Sequence, residues 1–157
     1  FDGVPILLKG LSQPIKDMPQ TSASRLFQNS VAKHSNYFVQ RLLDAGFIVV
    51  GQTNIPEFGF KNVTDSQMYG DAKNPFDTKR TAGGSSGGSG AALGAGWLPL
   101  AGASDGGGSI RIPASYNGLI GLKPSRGRIV VGPGDMRSWG GAAIPFVLTK
   151  SVRDTNQ

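Results

Sequence analysis

Two short segments of this 157-residue chain concentrate the residue types that acyl transfer needs. One is Gly83-Gly84-Ser85-Ser86-Gly87-Gly88-Ser89, the other Asp105-Gly106-Gly107-Gly108-Ser109. Glycine-rich loops also cradle phosphates, but a Walker loop ends in Gly-Lys-Ser/Thr, and neither segment supplies that lysine. A dinucleotide fingerprint is incomplete, because Gly94-x-Gly96 runs into Pro99 where a third glycine belongs. The elbow Gly-x-Ser-x-Gly fails around Ser109, with Arg111 in its last position. A Ser-His-Asp triad could draw only on His34, which lies far from both serine segments in a predicted helix and reads as an ordinary helical residue.

A serine nucleophile without histidine needs another base. A buried lysine can serve, because desolvation favours its neutral form near pH 7. Lys9 closes the apolar run Val4-Pro5-Ile6-Leu7-Leu8, where such burial is expected. The three glycines before Ser109 let several backbone N–H groups converge without Cβ interference, next to a helix start, as an oxyanion hole requires. Taken singly, a strand-end lysine is ordinarily a surface charge and a Gly-Gly-Gly-Ser run ordinarily a turn. The joint pattern reverses both.

The segments extend into longer matches. The first glycine-serine run, then Gly107-Gly108-Ser109-Ile110-Arg111-Ile112-Pro113-Ala114, then Gly121-Leu122-Lys123-Pro124-Ser125-Arg126-Gly127-Arg128, closely resemble the signature of the amidase signature family. Gly3-Val4-Pro5 with Lys9, Gly51-Gln52-Thr53-Asn54 with Glu57-Phe58, and Ser151-Val152-Arg153-Asp154 carry the resemblance across the whole chain. It implies an α/β fold with a mixed sheet covered by helices on both sides. It also implies Ser109 as acyl nucleophile, Ser85 as a proton-bridging serine after a cis peptide bond, and Lys9 as base. The N–H groups of Gly106, Gly107, Gly108 and Ser109 match the family's oxyanion hole, and neither cofactor nor metal is implied. Ser86 and Ser89 are expected to support the loop by hydrogen bonding, and Asp105 with Arg111 to hold the turn. Two positions depart from the family pattern: Gly10 stands where Asp is common, and Gln52 where many relatives have lysine.

The elements that must position these residues follow from apolar patterning. Val4–Leu8 and Phe47–Val50 read as short buried strands, and the spacing of Val31, Phe38, Leu42 and Ala45 predicts a helix from about Asn29, closed by Gly46. Strand, helix, strand in that order predicts a βαβ unit. Residues 53–81 read as loops with one short helix, 87–97 as a helix of small residues suited to close packing, and 98–103 as a strand. A short helix over 109–116 and a strand over 119–122 follow. Ser151-x-x-Asp154 is a capping-box start, with only three residues after it. Together with the opening on Phe1, this predicts that residues 1–157 are the N-terminal and central part of one amidase-signature domain, truncated at both ends.

Composition bounds the rest. The 24 glycines are concentrated between Gly83 and Gly141, where they alternate with apolar runs, unlike a flexible tether. The absence of cysteine excludes thiol nucleophiles and disulfides. The net charge of +6 is dispersed, with no basic block, so no direct nucleic-acid contact is expected. No apolar run reaches a membrane-spanning length, and a cytoplasmic location is expected. The expected partners are a small-molecule amide and further copies of the chain, because sheet edges left open favour self-association. Three readings stay open: an amidase acting on a small or aliphatic amide, such as an ω-amino-acid amide; a glutaminase-type amidotransferase subunit working with a tRNA-dependent partner; and a catalytically silent, oligomerising piece.

Overall fold

The computed structural model describes residues 1–132 and 138–157. The chain opens with strand β1 (Pro5–Lys9), reaches helix α1 (Tyr37–Asp44), and returns through β2 (Ile48–Thr53). β2 lies parallel to β1, in register from Pro5↔Ile48 to Lys9↔Thr53 with one irregularity after Ile6. Two small antiparallel ribbons follow, β3 (Asp65–Ser66) with β4 (Gly70–Asp71) and β5 (Lys73–Asn74) with β6 (Asp77–Thr81). Helix α2 (Gly87–Gly94) leads into β7 (Leu100–Asp105), which runs parallel to β1 on its other side. After α3 (Arg111–Tyr116), β8 (Ile144–Thr149) pairs antiparallel with β7 along its full length, and α4 (Val152–Asn156) ends the chain. The central sheet therefore has the order β2-β1-β7-β8 and is mixed.

Alternate residues of β1 divide the core between its two faces, as the two-residue period of a strand requires. Ile6 and Leu8 meet Phe38 and Val39 of α1, together with Phe47 and Val147. Leu7 packs instead with Leu93 of α2, Ile110, Ala114 of α3, and Ala101, Ala103 and Leu148. The sheet is thus covered on both sides, as the family resemblance implies. Among the described residues no helix is long and apolar enough to cross a membrane.

Helix α1 starts eight residues later than the apolar spacing predicts. Asn36 caps it, its side-chain oxygen accepting from Val39 N–H at 2.9 Å. The preceding stretch pairs with the loop before it instead: Gln20 N–H donates to Ser30 O at 2.8 Å and Ala32 N–H to Met18 O at 3.0 Å. His34 consequently lies exposed in a loop and not on a helix. Gly46 closes α1 as expected, at φ +90°, a backbone state that favours glycine. The strand expected at 119–122 reduces to one bridge, Ile120↔Thr149, followed by Gly121, where a Cβ would lie 3.1 Å from Ile110 O. The ribbons within 53–81 escaped the sequence analysis, because β3, β4 and β5 are two residues long and the exposed β6 (Asp77-Thr78-Lys79-Arg80-Thr81) is polar throughout, so none shows an apolar period.

Helix α2 approaches its neighbours as closely as its small residues suggest. A Cβ on Gly88 would lie 2.6 Å from Asn54 O and 3.0 Å from Asn54 Cα, inside backbone that cannot yield. Gly88→Ala is therefore expected to cost about 2 kcal/mol of stability by overpacking, read as a lowered midpoint in urea unfolding.

Candidate active site

β1 and β7 have one Cα pair in register, Leu7↔Ala101, and Lys9 lies at the end of β1 beyond it. The Gln13 amide spans the strand ends. Its Oε1 accepts from Lys9 N–H at 2.8 Å, and its Nε2 donates to Ala103 O at 3.0 Å and Phe146 O at 3.1 Å. Gly102 leaves room for this amide, since a Cβ there would lie 2.9 Å from Gln13 Cδ and 3.1 Å from Lys9 N. Gln13 was not singled out by sequence, because it lies in a Ser-, Pro- and Gln-rich stretch that reads as solvated loop.

Lys9 is 1% exposed. Its Nζ donates to Ser85 Oγ at 2.8 Å, to Ser104 Oγ at 2.9 Å and, more weakly, to Ser104 O at 3.3 Å. Burial lowers its pKa from 10.5 to about 7, against the opposing pull of the Asp105 carboxylate. A group poised there exchanges a proton readily at neutral pH. Ser104 is a second residue that sequence reasoning missed; its only signal was its place immediately before Asp105, at the end of β7.

Ser85 follows the cis peptide bond Gly84–Ser85. The other serines of its segment fasten α2 to β7. Ser89 Oγ donates to Gly102 O at 2.6 Å and shares a hydrogen bond with Thr53 Oγ1 at 2.7 Å. Ser86 Oγ accepts from Ser104 N–H at 3.4 Å.

Asp105 is fully buried and organises the loop that carries Ser109. Its carboxylate accepts from the N–H groups of Gly108 at 2.8 Å, Ile110 at 3.1 Å and Arg111 at 3.3 Å. The Arg111 guanidinium adds two bonds at 3.0 Å, so that Asp105 and Arg111 hold the turn together as an ion pair. Burial pushes the Asp105 pKa up, but the Arg111 side chain and the backbone donors outweigh it and hold the group below its usual value. Gly108 stands at φ +126°, where a Cβ would also meet Ile112 Cδ1 at 2.7 Å.

One expectation needs narrowing. Gly108 N–H is engaged by Asp105 and does not join the other donors of the predicted oxyanion hole. The N–H groups of Gly106, Gly107 and Ser109 donate to no acceptor among the described residues. Ser109 is 9% exposed, and its hydroxyl likewise has no hydrogen-bond partner among them. Ser109, Ser85, Ser104, Gly106 and Gly107 line one cavity of about 290 Å³. The structure thus joins Lys9 directly to Ser85, and places Ser109 on the same cavity without a direct bond to either.

The mixed sheet covered by helices on both faces is the architecture that the family resemblance implies. The Amidase family model matches residues 1–156, and the chain belongs to the amidase signature family. It is 49% identical to a lipoamidase of Enterococcus faecalis over 99% of this chain and 21% of that protein. It is 46% identical to a 6-aminohexanoate-cyclic-dimer hydrolase of Paenarthrobacter ureafaciens over 98% of this chain and 32% of that protein. A solved structure of 6-aminohexanoate cyclic dimer hydrolase with substrate superposes at a TM-score of 0.92 with 44% identity, covering 99% of this chain and 33% of that one. The chain spans about a third or less of the length of these relatives.

Proposed function

We propose that this chain carries the catalytic relay of an amide hydrolase, with Ser109 as nucleophile, Ser85 as proton bridge and Lys9 as base. The observation that carries the proposal is the 2.8 Å bond between Lys9 Nζ and Ser85 Oγ, made by a lysine buried until its pKa stands at about 7. Neutral Lys9 accepts the Ser85 proton while Ser85 accepts that of Ser109, whose Oγ forms a bond to the amide carbon. The resulting oxyanion takes hydrogen bonds from the N–H groups of Gly106, Gly107 and Ser109. Collapse of this intermediate breaks the carbon–nitrogen bond, and the proton held on Lys9 returns through Ser85 to the leaving nitrogen. Water then attacks the acyl–Ser109 ester, gives one proton to the same relay, and releases the carboxylic acid and the free serine. The names of the similar lipoamidase and cyclic-dimer hydrolase support an amide substrate, here a small or aliphatic one.

A fluorophosphonate activity probe tests this reading. Mass spectrometry of the labelled protein is expected to find one adduct, on Ser109, formed faster at pH 8 than at pH 6 because neutral Lys9 is the competent form. Labelling elsewhere, or none, would sink the assignment.

A further inference from the structure

A buried side chain that the relay does not use braces the backbone on which the relay stands. β2 follows β1 in register as far as Lys9↔Thr53, but the pairing of β1 with β7 stops at Leu7↔Ala101. Past that pair the Gln13 amide takes the place of a rung. Its Oε1 accepts from Lys9 N–H at 2.8 Å, and its Nε2 donates to Ala103 O at 3.0 Å and to Phe146 O at 3.1 Å. The amide thereby ties the backbone of Lys9 to the peptide that leads into Ser104. The side chains of these same two residues meet at 2.9 Å, and Lys9 Nζ reaches Ser85 Oγ at 2.8 Å. A reactive amine held through both its backbone and its own bonds keeps the geometry that proton transfer demands.

Gln13 is 1% exposed, in the space that Gly102 leaves open. It forms part of the wall of a cavity of about 50 Å³, together with Gly10, Ser12, Gln20 and Gln52. Lys9 is not part of that wall, and the Gln13 amide, bonded to Lys9 N–H, closes it on that side. An amide meets all three partners because it accepts and donates at once. A carboxylate cannot donate, and an apolar side chain does neither.

Resting on the hydrolase reading above, we propose that Gln13 is a positioning residue for the proton transfer, its amide bracing Lys9 against Ser104 and sealing the gap between β1 and β7 against water. The charged group facing Lys9 among the described residues is the Asp105 carboxylate at the end of β7, itself paired with Arg111. Loss of the Gln13 amide leaves that pair in place and lets water in beside the amine. The desolvation that holds the Lys9 pKa at about 7 is then relieved, and the titration moves toward 10.5.

The test reads Lys9 itself. In protein carrying 13C-labelled lysine, the Lys9 Cε resonance is the one lost in Lys9→Met, and its shift is followed from pH 5 to pH 10. Gln13→Met keeps a similar volume and removes all three bonds, and the Lys9 midpoint is expected to rise by about one pH unit or more. Fluorophosphonate labelling of Ser109 is then expected to fall about fivefold at pH 7, where roughly a tenth of the amine stays neutral, and to return near the parent's rate at pH 9. Gly102→Ala displaces the amide from the other side, since a Cβ there would lie 2.9 Å from Gln13 Cδ. It is expected to move the midpoint the same way, and it decides the matter if near-UV circular dichroism finds Gln13→Met unfolded. A midpoint that stays at the parent's value in a folded variant overturns the proposal. So does labelling reduced by one factor at every pH, the mark of a general packing defect. A parent that does not label at Ser109 condemns the hydrolase reading, whereas a parent that labels, beside an unmoved midpoint in the variants, condemns only the role of Gln13.

Discussion

Replacing Lys9 by methionine is expected to lower amide hydrolysis about a thousandfold or more and abolish probe labelling of Ser109, while leaving the protein no less stable at pH 6. The loss of activity follows from deleting the amine that takes the Ser85 proton in the proposed relay, an effect of the size general-base removal has elsewhere. The stability result follows from the same burial. A pKa moved from 10.5 to about 7 corresponds to roughly 5 kcal/mol by which folding disfavours the charged lysine. Between those values the unfolded chain holds more protons than the folded one, so stability rises with pH across that window. Below about pH 7 the whole penalty applies, and it fades toward pH 10.5. Methionine fits a similar volume and carries no such penalty. It sacrifices the bonds to Ser85 and Ser104, each worth about 1 kcal/mol. Thermal unfolding of parent and variant from pH 6 to pH 10 should therefore show the variant's advantage shrinking as pH rises. A variant much less stable at pH 6 would mean that Lys9 is not held against its own solvation, and the argument for a neutral base would go with it. The parent's rate of Ser109 labelling should also climb through about pH 7, as Lys9 loses its proton.

The second large effect is expected at Asp105. Asp105→Ala removes one carboxylate and strands five donors: the N–H groups of Gly108, Ile110 and Arg111 and two from the Arg111 guanidinium. Breaking a buried ion pair by removing one partner costs about 3 kcal/mol, and the low end applies because the Arg111 side chain is 55% exposed. Activity should fall further than stability, because Gly108 is then free to leave the turn that sets Gly106, Gly107 and Ser109 on one cavity. Asp105→Asn separates charge from shape. Its oxygen can still accept from Gly108, but its NH₂ faces donors, so partial stability with poor labelling is expected. The pH dependence has the opposite sign to that of Lys9. A carboxylate held below its usual pKa contributes stability that is whole above that usual value and lost as pH falls through its lowered native value. Acid unfolding of Asp105→Ala should accordingly be shallower than the parent's at the most acidic end. An Asp105→Ala protein that labels at the parent rate would show that the loop holds its form without this anchor.

The serine and glycine segments pointed to acyl transfer through residue types taken together with the family resemblance. A serine needs a base, histidine was missing from both segments, and the family resemblance joined Lys9, Ser85 and Ser109 although they are separated by as much as a hundred residues. The two strands flanking α1, its Gly46 stop and the small-residue helix α2 were equally legible, because apolar period and backbone freedom are local properties. The start of α1 was not. Val31 looks like the first turn of a helix, yet its neighbours find hydrogen-bond partners on 18–20, a competition that no periodicity displays.

What the amino-acid sequence determined by itself was therefore the class of chemistry, the family, and the sheet-and-helix frame. Only the tertiary structure decided how the parts act on one another. Ser104 and Gln13 matter through contacts made across the ends of β1, β7 and β8, and a polar residue in a loop or at a strand end carries no mark of such contacts beforehand. Gly108 belonged to the set of donors that the family resemblance implied, but Asp105 takes its N–H, since a hydrogen-bond donor serves whichever acceptor the folded chain brings nearer. Phe27, Phe58, Phe60 and Trp139 pack in one row, joining residues more than a hundred positions apart. Residue types announce what chemistry is available; distances and burial, which exist only once the chain is folded, decide which groups carry it out.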